Sequence, residues 1–94
     1  MFRALGCYKT VRQKFLGPEV ADFRHMAPNY SQMQWECSKK ALEKGHPIFG
    51  IEFFQECYTS EELDLSVQTK VDDPTCNKHG VGEAFKVSIF RMLP

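Results

Sequence analysis

The chain predicts an α+β domain in which one main helix packs on a small, mainly antiparallel sheet, stapled by two disulfides. Three features carry that expectation: an amphipathic central segment with helix start and stop signals, runs of alternating apolar and polar residues on either side, and four widely spaced cysteines. With 94 residues there is room for one core, so residues 1–94 read as a single module. Eight Phe, three Tyr and one Trp supply large buried area per residue. A domain this small still gains little from burial beyond the entropy lost on ordering, so covalent staples are expected.

Leu5 to Lys9 is short and apolar-leaning and reads as a first strand. Thr10 to Asn29 carries the turn signal Gly17-Pro18, then Pro28, with little period between them. It reads as an ordered loop with one helical turn around Pro18 to Phe23. The clearest local signal lies just beyond. Ser31 with Gln34 three residues on has the form of a capping box, and Met33, Cys37 and Ala41 recur at spacing four along one face. Lys39, Lys40 and Lys44 put positive charge where the helix dipole favours it. Gly45 stands where a left-handed C-terminal residue belongs, and Pro47 blocks continuation. The helix is therefore placed at Gln32 to Lys44.

Ile48 to Tyr58 reads as one strand, with Phe49, Ile51 and Phe53 alternating against Gly50, Glu52 and Phe54. Thr59 to Glu62 resembles a second helix start, but the segment behind it is short. Lys70 to Gly82 is turn-rich, with Asp72-Asp73-Pro74, Asn77 and two glycines. Ala84 to Met92 closes the chain as a strand, Phe85, Val87 and Ile89 alternating with Lys86, Ser88 and Phe90.

Cys7, Cys37, Cys57 and Cys76 contain no C-x-x-C pair, so a structural zinc site is disfavoured and no metal is expected. Two disulfides, and with them an oxidising compartment, fit the spacing better. Counting in steps of two from Phe49 brings Cys57 to the face that the helix should cover, and Cys37 lies on the helix's apolar stripe. A Cys37–Cys57 bridge is thus a specific expectation, leaving Cys7 with Cys76, although four cysteines permit three pairings. The first twenty residues hold no signal-like apolar core, because Arg3, Lys9, Arg12 and Lys14 interrupt it. A secreted reading therefore requires Met1 to begin a mature or excised chain.

Twelve basic and twelve acidic residues leave no net charge, which argues against nucleic acid or an anionic membrane as partner. No stretch is long enough to span a bilayer, and nothing calls for a cofactor. The order Gly6-Cys7-Tyr8, a helix with Cys37, Ala41 and Gly45, then Phe49-Gly50-Ile51-Glu52, Glu56-Cys57-Tyr58, Cys76 and a strand ending near Phe90 resembles a reduced, four-cysteine WSC domain. It is also similar to PAN/apple-like repeats. A full WSC domain has about twice as many cysteines, including one where this chain has Thr59. The resemblance implies a secreted, extracellular binding or adhesion module that recognises carbohydrate. The rival expectation is a small secreted toxin, inhibitor or matrix protein acting on a protein target.

Candidate chemistry is sparse. His25, His46 and His79 share no ligand spacing, and a catalytic thiol would require Cys57, near His46, to be exposed rather than core-facing. Asp72, Asp73 and Asn77 lack a calcium-loop pattern and read as turn residues. Glu52, Glu56, Glu61 and Glu62 read as solvent-facing charge rather than glycosidase carboxylates. No enzyme is expected. If Phe49, Ile51 and Phe53 face inward, Phe54 and Tyr58 emerge opposite, and Tyr8, Tyr30 and Trp35 join them as ligand-binding candidates. Alternatively, these rings cover the sheet's second face beneath the early loop. Asn29-Tyr30-Ser31 is an N-glycosylation sequon, with Asn29 the acceptor.

Overall fold

The computed structural model describes residues 1–10, 16, 18–62, 68–82 and 85–93. Along these the chain forms β1 (Phe2–Lys9), β2 (Glu19–Asp22), a 3₁₀ turn (Arg24–Met26), α1 (Tyr30–Lys44), β3 (Ile48–Glu52), β4 (Glu56–Ser60), β5 (Lys70–Val71), α2 (Pro74–His79) and β6 (Lys86–Met92). The strands make one six-stranded sheet in the order β2-β4-β3-β6-β1-β5, with every neighbouring pair antiparallel. The α+β expectation of one main helix on a small antiparallel sheet with two disulfides holds, with α2 added.

The central helix begins two residues before its expected start. Asn29, not Ser31, is the cap, and its side chain accepts a hydrogen bond from the Gln32 N–H at 3.2 Å. The capping box does not form because the Gln34 amide is used elsewhere: Nε2 donates to the His79 carbonyl at 2.9 Å and ties α1 to the end of α2. Gly45 ends the helix in the left-handed conformation, as expected. Met33, Cys37 and Ala41 are fully buried against the sheet.

The stretch from Ile48 to Tyr58 is a hairpin and not one strand. Glu52 pairs with Glu56 around a three-residue turn, Phe53 to Gln55. Phe53 is therefore turned out of the core, where alternation alone would have buried it. Cys57 still faces α1, for a different reason: it sits directly opposite Ile51, and opposed residues of an antiparallel pair point to the same side. Beyond the hairpin, Thr59 and Ser60 continue β4 and start no helix. Within Pro18 to Phe23 the chain forms the edge strand β2 (Glu19–Asp22) in place of the expected helical turn, and the 3₁₀ turn (Arg24–Met26) lies just beyond it. Within the turn-rich stretch, Asp73 caps α2, Pro74 opens it and Gly80 closes it. The closing strand begins at Lys86; Ala84 lies outside the described residues.

β1 extends back to Phe2 because a bulge interrupts its period. Ala4 pairs with Phe90 and Gly6 with Ile89, so Leu5 is the extra residue. The bulge needs the backbone of Gly6 at φ 120°, which side-chain-bearing residues rarely adopt. It also reverses the strand's inside and outside. Cys7 consequently shares a face with Ala4 and Phe90 and meets Cys76 on α2, with Cα atoms 6.4 Å apart. The Cys37–Cys57 bridge joins α1 to β4 with Cα atoms 5.6 Å apart. Both separations suit a disulfide.

Two apolar layers result. On the helix side, Phe49, Ile51, Cys57 and Phe90 pack with Phe23, Met33, Cys37, Ala41 and Val81, and the Phe49 and Phe90 rings stack at 4.9 Å. On the other side, Tyr8, Ile48, Val87 and Ile89 pack with Leu5 and Leu16. Every residue of β3 is buried, as befits a central strand covered on both faces. No helix among the described residues is long and apolar enough to cross a membrane.

Candidate functional site

The five aromatic residues expected to form a binding face do not assemble. Tyr8 and Tyr58 are buried on the sheet's second side, so these two perform the alternative role of covering it. The cause is the strand parity set by Cys7 and Cys57: each sulfur faces a helix, which turns the following tyrosine to the opposite side. Tyr30 is half-buried, its ring 4.9 Å from that of His79. Trp35 stands exposed on α1. Phe54 alone of the five lies at the end of the sheet.

That end carries a different aromatic group. Phe53, Phe54 and Phe85 are 44%, 37% and 61% exposed, whereas the other described phenylalanines are packed. Glu52 pairs with Val87 at the last position of the β3–β6 ladder, so the Phe53–Phe54 turn and Phe85, which directly precedes β6, lie at the same end of the sheet. The Phe53 and Phe54 rings meet edge to face at 6.2 Å. These three are also the non-glycine residues with positive φ among the described residues, at 51°, 68° and 61°. The left-handed region costs a side-chain-bearing residue about 1–2 kcal/mol, and a hairpin turn of this kind ordinarily takes Gly, Asn or Asp.

The backbone beneath the rings is held from two sides. The Phe54 N–H donates to the Gly82 carbonyl at 2.6 Å, and the Gly82 N–H donates to the Ile51 carbonyl at 2.8 Å. A Cβ at Gly82 would meet the Lys86 carbonyl, so only glycine permits this approach. Across the hairpin, the Phe23 N–H donates to the Gln55 carbonyl at 2.9 Å. Below the tip, Glu52 is buried, contrary to its expected solvent exposure, because it lies on the central strand. Its carboxylate accepts from the Thr10 hydroxyl at 3.1 Å. Glu56, opposite it, accepts from the Tyr58 hydroxyl at 2.7 Å.

At the other end of the sheet an open groove of about 390 Å³ is lined by Val20, Lys44, His46, Ser60, Glu61 and Glu62. His46 Nδ1 lies 2.9 Å from the Thr59 hydroxyl, and Nε2 lies 3.9 Å from the Glu61 carboxylate. The Cys57 thiol is unavailable to His46 as a nucleophile, since its sulfur is bonded to Cys37 and buried. Asp73 is likewise committed. Its Oδ1 accepts from the Thr75 and Cys76 N–H groups and its Oδ2 from Lys86 Nζ at 2.6 Å. The Lys86 hydrogen bond, followed by the Cys76 N–H, holds the Asp73 carboxyl below the ordinary aspartate range. Among the described residues, no cluster of His, Cys, Asp and Glu is arranged to hold a metal ion.

No protein-family model matches this chain, and a search of curated proteins finds no match. Sequence reasoning missed Phe53 and Phe85. The available signal was two β-forming runs, Phe49-Gly50-Ile51 and Glu56-Cys57-Tyr58, too long together for one ordinary strand, with a Phe-Phe pair where they must fold back.

Proposed function

We propose that this chain is an extracellular recognition module that binds a protein partner through the phenylalanine-tipped end of its sheet. The observation that carries the proposal is the coincidence of two sets: among the described residues, the exposed phenylalanines are also the non-glycine residues held in left-handed backbone. Large rings occupy positions where local preference calls for small or polar residues, at a cost to the folded state. Strain of this kind concentrates at functional sites, and clustered exposed apolar side chains mark interaction surfaces. Hydrogen bonds to Gly82 and Gln55 fix the tip before any partner arrives, which lowers the ordering cost of binding. Two buried disulfides support an oxidising, extracellular setting, and the resemblance to WSC-like and PAN/apple-like modules points the same way.

Carbohydrate is the second reading. It is supported by that resemblance and by the polar groove at His46, but the groove is lined by no Phe, Tyr or Trp ring among the described residues on which a sugar could stack. The test compares wild type with F53G/F54G/F85G, which suits each left-handed backbone and removes all three rings. Both proteins are used to capture cross-linked partners from extracellular fluid and are applied to a glycan array. The proposal expects a protein partner captured by wild type and lost by a variant that keeps its fold and both disulfides. Equal capture by the two, or no capture by wild type, contradicts it. Array binding that survives loss of the rings favours the carbohydrate reading.

A further inference from the structure

We infer that Asn29 is an N-linked glycosylation site, an inference that rests on passage of the chain through a secretory pathway. Asn29-Tyr30-Ser31 is a sequon, and its position in the fold suits modification. Asn29 and Ser31 are both exposed at the start of α1. The two ends of the Asn29 amide have separate duties. Oδ1 faces the helix, accepting from the Gln32 N–H at 3.2 Å and from the Ser31 hydroxyl at 3.5 Å. Nδ2 makes no hydrogen bond among the described residues. A glycan attached to nitrogen therefore leaves the capping oxygen in place, and nothing buried has to move.

In the transfer, Nδ2 attacks the anomeric carbon of an oligosaccharide carried on a polyprenyl diphosphate. The new bond is between that carbon and Nδ2. The carbon–oxygen bond to the diphosphate breaks, the diphosphate leaves with the electron pair, and one Nδ2 proton passes to base. The Asn29 carbonyl is unchanged, so the helix retains its cap.

The test is expression behind a cleavable secretion leader in a eukaryotic host. Intact mass is read from both medium and cell-associated protein, before and after peptide:N-glycosidase treatment. The expected result is a glycan-bearing mass that falls on treatment, with Asn29 converted to Asp. That mass disappears entirely in N29Q and in S31A, which loses the sequon hydroxyl. Asp is itself a good cap, so the deglycosylated protein keeps the helix content of the untreated one. Wild-type protein carrying both disulfides but with the bare polypeptide mass in both fractions overturns the inference. Failure of the extracellular reading shows separately, as free thiols in protein taken from its native source. The two failures are thus told apart.

Discussion

Removing the disulfides one at a time tests how this small fold is held. Replacing Cys37 and Cys57 together by alanine opens a loop spanning 20 residues. The chain-entropy treatment gives about 3.3 kcal/mol at 25 °C for a loop of that length. The Cys7–Cys76 bridge spans 69 residues and encloses the first. While the inner bridge is intact, the shortest path round the outer ring skips the inner loop, leaving about 49 residues and about 4.1 kcal/mol. All four sulfurs are buried, so the packing lost on sulfur removal is similar in C37A/C57A and C7A/C76A and largely cancels between them. C37A/C57A keeps the outer bridge as a ring of its full 69-residue span, about 4.4 kcal/mol. Removing the inner bridge therefore costs about 3.0 kcal/mol, and removing the outer one about 1.1 kcal/mol more. Either loss is large against a total stability of roughly 5–15 kcal/mol. In thermal terms, C37A/C57A should melt roughly 12–24 °C below wild type and C7A/C76A several degrees lower still. Urea unfolding followed by circular dichroism supplies the free energies. It should also show a steeper denaturant slope in both variants, since their unfolded chains expand further. A loss below about 1 kcal/mol with an unchanged slope would refute the reasoning, because the bridges would then not restrict the unfolded chain.

G50A should destabilise by about 1–3 kcal/mol in the same assay, because the added methyl would come within 2.6 Å of Leu16 and 2.8 Å of Val87. N29A should cost about 0.5–2 kcal/mol while N29D stays close to wild type; equal losses would show that the side-chain oxygen does not cap α1. Asp73 titrates lower in the folded state than in the unfolded one. Its stabilising contribution is thus complete above about pH 3.9 and is lost as pH falls through the lower folded value. The gap in melting temperature between wild type and D73N, wide at neutral pH, should close in acid; a constant gap contradicts the Lys86 pairing. F85G should melt no lower than wild type despite losing a ring, because it relieves a left-handed backbone; a large drop would mean that the ring packs in the core.

Much of this architecture was legible because local signals agreed with global packing. The Met33, Cys37 and Ala41 stripe, Gly45 and Pro47 all mark the same helix, and α1 buries that stripe and stops at that glycine. The Cys37–Cys57 bridge was legible too, by a count that is robust to error: Ile51 and Cys57 share a face as members of one strand and equally as opposed residues of a hairpin. The turn between them was not legible. Phe53, Phe54 and Gln55 include none of the residues that usually signal a reversal, and that same irregularity marks the proposed binding end.

Other misses have separate causes. The start of β1 was hidden because the bulge at Leu5 shifts its alternation. β2 and β5, with four and two residues, are too short to show a period. α2 carries complete start and stop signals in Asp73, Pro74 and Gly80, yet its six residues give no repeating stripe. The burial of Tyr8, Tyr58 and Glu52 depends on the sheet being covered on both sides, which no local pattern reports.

Alkylation of the protein from its native source, without and with prior reduction, bears most directly on the claim that sulfur bridges hold α1 to β4 and α2 to β1. Oxidised Cys37–Cys57 and Cys7–Cys76 pairs predict no alkyl group on the unreduced, denatured chain and four after reduction. Four alkyl groups taken up before any reductant is added would contradict the account.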